Sequence, residues 1–182
     1  MRVLFVISLV AALVGVEQAV PPQEPDATVA DVRQLVSTSA WTELDHKLAA
    51  LSPDDPAWEK LPAVMYQGGI TRNNLPWVVD RLSRVAVLTT NPSIKASALI
   101  AVGRAYRRQG DGGAATRSLE SAKAAAPGTR YAEEAEGLVY EIQHLSVGLP
   151  APPISAKARN GRTISLAALR GKAVVLVFWG TT

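Results

Sequence analysis

The chain has 182 residues, 48% apolar and 19% charged, which places it among ordered globular proteins and excludes the apolar-poor, highly charged class that stays disordered. Its net charge of +3 does not point to nucleic acid, because it is localised: from Val147 onward there are five basic residues (Lys157, Arg159, Arg162, Arg170, Lys172) and no acid, against 14 basic and 16 acidic residues before that point. There is no cysteine, so these residues hold no disulfide and no thiolate nucleophile.

The first predicted element is an address. Arg2 is followed by Val3–Val16, fourteen residues without a charge, and then by Glu17-Gln18-Ala19 and a proline pair. A basic start and an apolar run of about 7–15 residues read as an export signal over 1–19, shorter than the roughly 20 residues of an ordinary membrane span. Left uncleaved, the same segment would anchor the chain to a membrane. Either way the remainder is expected on the periplasmic or other extracytoplasmic side. Residues 20–26, VPPQEPD, form a Pro-rich linker.

From there to about residue 146 every periodic stretch is helical. Thr28 or Asp26 is placed to cap a helix with an apolar face of Val29, Val32, Leu35 and Val36. Trp41, Leu44, Leu48 and Leu51 make one stripe of a second helix. A turn at Ser52–Pro56 leads to a third over Ala57–Gln67, with Gly68-Gly69 expected to end it. Asn73-Asn74 and Pro76 open a fourth, carrying Leu75, Val78, Val79, Leu82, Val85 and Val87, and Asn91-Pro92 stops it.

An internal repeat follows. Gly103 and Tyr106 recur thirty-four residues later as Gly137 and Tyr140, and Ala98 and Ala101 recur as Ala132 and Ala135. The first helix places Ala96, Leu99, Ile100, Gly103 and Tyr106 on one face, Gly110-Asp111 turns the chain, and Ala115, Leu119 and Ala122 line the partner helix up to Pro127-Gly128. The period and residue classes resemble a tetratricopeptide repeat over Ala96 to about Thr129, with Tyr131–Leu145 as a capping first helix and Pro62–Pro92 as a degenerate earlier copy. Such units bury their faces only by stacking, and stacked arrays commonly present a surface to a partner. Arg104, Arg107 and Arg108 are the candidate partner-binding face, suited to an acidic peptide, with a merely solvated cationic face as the alternative. His46 and His144 have no partners at metal-ligand spacing, and His144 in a last helical turn suits the helix dipole.

The final stretch carries a second signal. Val147-Gly148-Leu149-Pro150-Ala151-Pro152 leads to Asn160-Gly161 between strand-like runs near Ile154–Ala158 and Arg162–Ser165, then to Leu169-Arg170-Gly171-Lys172 and the apolar run Val174-Val175-Leu176-Val177-Phe178-Trp179. In order and spacing this resembles the start of a TlpA-like thiol–disulfide oxidoreductase, within the wider group that includes the alkyl hydroperoxide reductase/thiol-specific antioxidant proteins. The resemblance implies a thioredoxin-like α/β domain begun at 147–182: a leading hairpin and one central parallel strand, Ala173–Trp179, whose unbroken apolar character suits burial on both faces. It implies that Trp179, Gly180, Thr181 and Thr182 form the approach loop to a Cys-x-x-Cys helix. A helix N-terminus stabilises the thiolate that attacks a disulfide.

No catalytic, metal or cofactor-binding residue is carried over onto the residues present. The sequence therefore reads as mainly α (a tetratricopeptide-like domain at 27–146) followed by a truncated thioredoxin-like domain. The expected parent acts on protein thiols or disulfides without a metal or organic cofactor, a peroxiredoxin-type peroxidase being the lesser variant. Two further expectations attach to the last run. The chain is a fragment whose Cys pair lies just downstream, and Ala173–Trp179 is poorly packed because its faces and edges lack cover. The competing reading is a periplasmic helical binding module with a non-catalytic thioredoxin-like remnant.

Overall fold

A computed structural model describes residues 27–177. The export signal, the linker, and Phe178 with the approach loop Trp179–Thr182 lie outside them. Among the described residues the protein is mainly helical, with seven α-helices and one two-stranded antiparallel sheet.

The helices are α1 (Ala27–Thr38), α2 (Trp41–Ala49), α3 (Leu61–Thr71), α4 (Leu75–Leu88), α5 (Pro92–Arg108), α6 (Gly112–Ala125) and α7 (Arg130–His144). They follow one another as helix–turn–helix pairs, and the odd-numbered helices pack side by side: α1 on α3, α3 on α5, α5 on α7. α4 packs on α5, and α6 packs on both α5 and α7. The predicted stripes are the buried ones: Val29, Val32 and Val36 on α1, Leu44 and Leu48 on α2, Val78, Leu82 and Val85 on α4. α2 is also tied to α4 by polar groups. Trp77 Nε1 donates to Asp45 at 2.9 Å, Arg81 pairs with the same carboxylate at 2.7 Å, and the rings of Trp41 and Trp77 lie 4.9 Å apart.

Helix boundaries follow local chemistry. Asn91 Oδ1 accepts from the amides of Ser93 and Ile94, with Pro92 at the first helical position, so this pair starts α5. Gly110 turns the chain at φ +87°, and Asp111 caps α6 through the amide of Ala114 at 2.8 Å. Gly128 makes the next turn at φ +70°.

Four expectations for the helices need correction. Thr28 lies inside α1 and cannot be its N-cap. The third helix is broken: Asp55 caps a short 3-10 helix, Pro56–Glu59, before α3 begins at Leu61. Val87 lies 80% exposed, because α4 has by then turned that position away from the core that takes Val85.

The fourth is Gly68-Gly69, which does not end α3. A Cβ at Gly68 would run into Val36 of α1, and one at Gly69 would meet Val78 of α4. The two glycines let three helices approach, and that closeness outweighs their cost of about 1 kcal/mol each in helix propensity. The same device recurs at Gly103, whose added Cβ would lie 2.7 Å from Leu119 Cγ.

The C-terminal part begins with strands β1 (Ser155–Lys157) and β2 (Thr163–Ser165), paired in the register Ser155↔Ser165, Ala156↔Ile164, Lys157↔Thr163. A 3-10 turn, Leu166–Leu169, follows, capped by Ser165 through the amide of Ala168. Beyond it Ala173–Val177 lies in no ladder, which corrects the expected strand over these residues. A strand is defined by its neighbours, and none is present here. No helix among the described residues is long and apolar enough to cross a membrane.

Candidate functional site

Two places stand out, and they are separate. The first is the C-terminal hairpin and the run after it. The hairpin closes through Ala158 N donating to Arg162 O at 2.8 Å and Gly161 N to Ala158 O at 2.8 Å, while Asn160 Oδ1 accepts from Arg162 N at 3.1 Å. Gly161 sits at φ +77°, which is why a glycine follows the asparagine. The hairpin is open: every residue of β1 is exposed, and Ile154 and Ile164, which the register puts on one face, are 37% and 42% exposed. In the run beyond, Val174 and Leu176 are 41% and 49% exposed, Val175 and Val177 86% and 75%. This alternation belongs to an extended segment whose successive side chains point to opposite sides, all of them exposed.

The second place is a groove across the odd-numbered helices. Between α1 and α3 it is a hollow of about 420 Å³, floored by Val36, Val64 and Gly68 and flanked by Arg33 and Arg72. It continues through Ala63 and Tyr66 to Ile100, Ala101 and Arg104 of α5 and to Arg130, Tyr131 and Glu134 of α7. It ends in a hollow of about 620 Å³ lined by Tyr66, Arg104, Arg107, Arg108 and Leu138.

The three arginines singled out from sequence therefore do share one wall, but they are not equivalent. Arg104 pairs with Glu134 at 3.0 Å and Arg107 with Glu141 at 2.6 Å, both across the α5–α7 contact. Arg108 holds no ion pair or hydrogen bond among the described residues, and neither does Arg33. Arg72 donates to the carbonyl of Ser37, near the C-terminus of α1, where a cation meets the negative end of the dipole. Arg130 stacks over the Tyr131 ring at 4.8 Å and donates to its hydroxyl, an interaction that raises the guanidinium pKa above its ordinary value.

Arg33, Arg72 and Arg130 were missed in the sequence. Arg33 lies on α1, Arg72 at the C-cap of α3 and Arg130 on α7, and no spacing within one helix announces them. His46 lies on α2, beside Asp31, Glu43 and Lys47, and His144 rests against Tyr140 at 4.5 Å between ring centres. Among the described residues no group of three or more His, Asp or Glu side chains is placed to hold a metal ion.

The site thus belongs to a mainly helical protein with an arginine-lined groove and, after α7 in the chain, an open hairpin. Comparison with protein-family models, with curated proteins and with solved structures finds no match to this chain.

Proposed function

We infer that the chain is the N-terminal part of an exported thiol–disulfide oxidoreductase of the TlpA-like, thioredoxin type, preceded by a tetratricopeptide-like helical domain. The observation that carries this reading is the order of parts after α7. A hairpin in fixed register around Asn160-Gly161 leads to the Leu166–Leu169 turn, and then comes an apolar extended run with unpaired edges. A central parallel strand has this character before its neighbours are in place. On this reading the residues after Thr182 supply the neighbouring strands and a Cys-x-x-Cys at a helix N-terminus. The substrate is then a protein thiol or disulfide, and the described residues contribute position, not chemistry.

The test has two stages. The coding sequence beyond codon 182 is expected to encode Cys-x-x-Cys within the next few codons, and the encoded protein to reduce insulin disulfides in the presence of dithiothreitol. A stop codon there, or a continuation without paired cysteines, overturns the proposal.

A second reading rests on the groove. The 182 residues hold no cysteine and so carry no thiol chemistry of their own, and the groove gives the helical region a surface for binding. In that case the helical region is a partner-recruiting module and the hairpin a non-catalytic appendage.

A further inference from the structure

The charges of the helical region are sorted by face. Residues 27–146 carry thirteen basic and thirteen acidic side chains, so as a whole the region is neutral. Six of the basic ones, all arginine, line the groove: Arg33, Arg72, Arg104, Arg107, Arg108 and Arg130. Against them stand Glu59 and Glu134 in the lining and Glu141 bonded to Arg107. The groove is therefore +3 and the rest of the helical surface is −3. None of the region's four lysines (Lys47, Lys60, Lys95, Lys123) lines these hollows.

Solvation does not explain this sorting. Lysine solvates a surface as well as arginine does, whereas a planar guanidinium presents a fork that fits a carboxylate in two parallel hydrogen bonds. Six arginines against three glutamates on one wall of a neutral region also leave an excess of like charge, which a ligand of opposite sign relieves. Between the arginines the floor is apolar or aromatic, from Val36 and Val64 through Tyr66 to Ile100 and Leu138.

The geometry points to an acidic, extended peptide segment of another protein as the occupant of this groove, with carboxylates meeting Arg33 at one end and Arg108 at the other and small apolar side chains between. Four helices packed side by side at interaxial distances of about 8–10 Å set a groove of roughly 30 Å, the reach of about nine or ten extended residues. Arg33 and Arg108, free of ion pairs among the described residues, receive the peptide without breaking a contact. Arg104 and Arg107 exchange Glu134 and Glu141 for it. This inference does not depend on the redox reading, since no cysteine takes part and its test reads binding alone.

The probe is a fluorescein-labelled ten-residue peptide with Glu or Asp at alternate positions between Ala, Leu and Pro, titrated by anisotropy into the 182-residue protein at low salt. Its counterpart carries Gln and Asn at the same positions. The acidic peptide is expected to bind, the amide peptide at least tenfold more weakly, with affinity falling as salt rises. Arg33→Gln and Arg108→Gln are each expected to weaken binding about five-fold, the worth of one exposed charge pair. Arg117→Gln, on α6 away from the groove, is expected to leave binding unchanged. Equal binding of both peptides, or an Arg117→Gln loss matching that of the groove variants, overturns the inference. So does binding that appears only after Glu17, Glu24 and Asp26 are neutralised, which assigns the groove to the chain's own acidic residues.

Discussion

Asp54 is a surface carboxylate that holds two segments together. Its Oδ1 accepts from the Thr89 hydroxyl at 2.6 Å, the Thr90 amide at 2.8 Å and the Asn91 amide at 3.2 Å, and its Oδ2 from the Thr90 hydroxyl at 2.7 Å. The turn before α3 is thereby fastened to the start of α5. These bonds, the Thr89 hydroxyl first and Thr90 next, lower its pKa from 3.8 to about 2. A depressed folded-state value means that the contribution is complete above about pH 4 and is lost as pH falls toward 2. Asp54→Asn is accordingly expected to lower the urea midpoint at pH 6, and the gap from wild type to close by about pH 2. A gap independent of pH contradicts this. A second residue-scale contrast lies in Gly103 and Gly137, which share a repeat position but not a setting. A Cβ at Gly103 would press on Leu119 at 2.7 Å and the Ala115 carbonyl at 3.2 Å, whereas at Gly137 nothing lies within 4 Å. Gly103→Ala is expected to destabilise by about 1–2 kcal/mol, overpacking outweighing helix propensity. Gly137→Ala is expected to stabilise by about 0.5–1 kcal/mol. Urea unfolding of the two variants checks the opposite signs.

Among the elements, α3 shows how a local rule loses to packing. A Gly-Gly pair after an apolar stretch signals a helix end, yet α3 passes through it because Val36 and Val78 occupy the space two side chains would need. The signal that corrects the expectation is in the sequence: Gly69, Gly103 and Gly137 lie thirty-four residues apart. α7 shows the converse. At the positions where α5 presents Ala96, Leu99 and Ile100 to its neighbours, α7 carries Arg130, Glu133 and Glu134. That face is solvated, Gly137 and Tyr140 beside it are exposed, and α7 closes the stack as a polar-faced end helix does. The run Ala173–Val177 has its amides unbonded among the described residues. In monomeric protein those amides are expected to exchange with solvent at nearly unprotected rates, while those of α5 are protected. Strong protection of the run in a monomer contradicts the account of it as an uncovered strand segment.

At the scale of the whole molecule, two contiguous cores account for the packing. One runs from Val29 to Val102 and the other from Ala96 to Val139, with Leu99 packed against both, so the stack has no break between its first and last helix. No core residue comes from beyond α7, so the hairpin adds nothing to either cluster. The sequence by itself determined the helical class, most buried stripes, the turns at Gly110 and Gly128, and the Asn160-Gly161 hairpin. Each of these rests on interactions between residues within one or two turns of one another, whose signals are periodicity and turn chemistry. Three of the groove's arginines were legible as a cluster because Arg104, Arg107 and Arg108 share one helix. Tertiary structure decided the rest. Only stacking brings Arg33, Arg72 and Arg130 to the same wall, pairs Arg104 and Arg107 with glutamates about thirty residues away, and turns Gly68-Gly69 from a stop into a contact. Those outcomes depend on which helix lies beside which, and a local pattern carries no record of its neighbours.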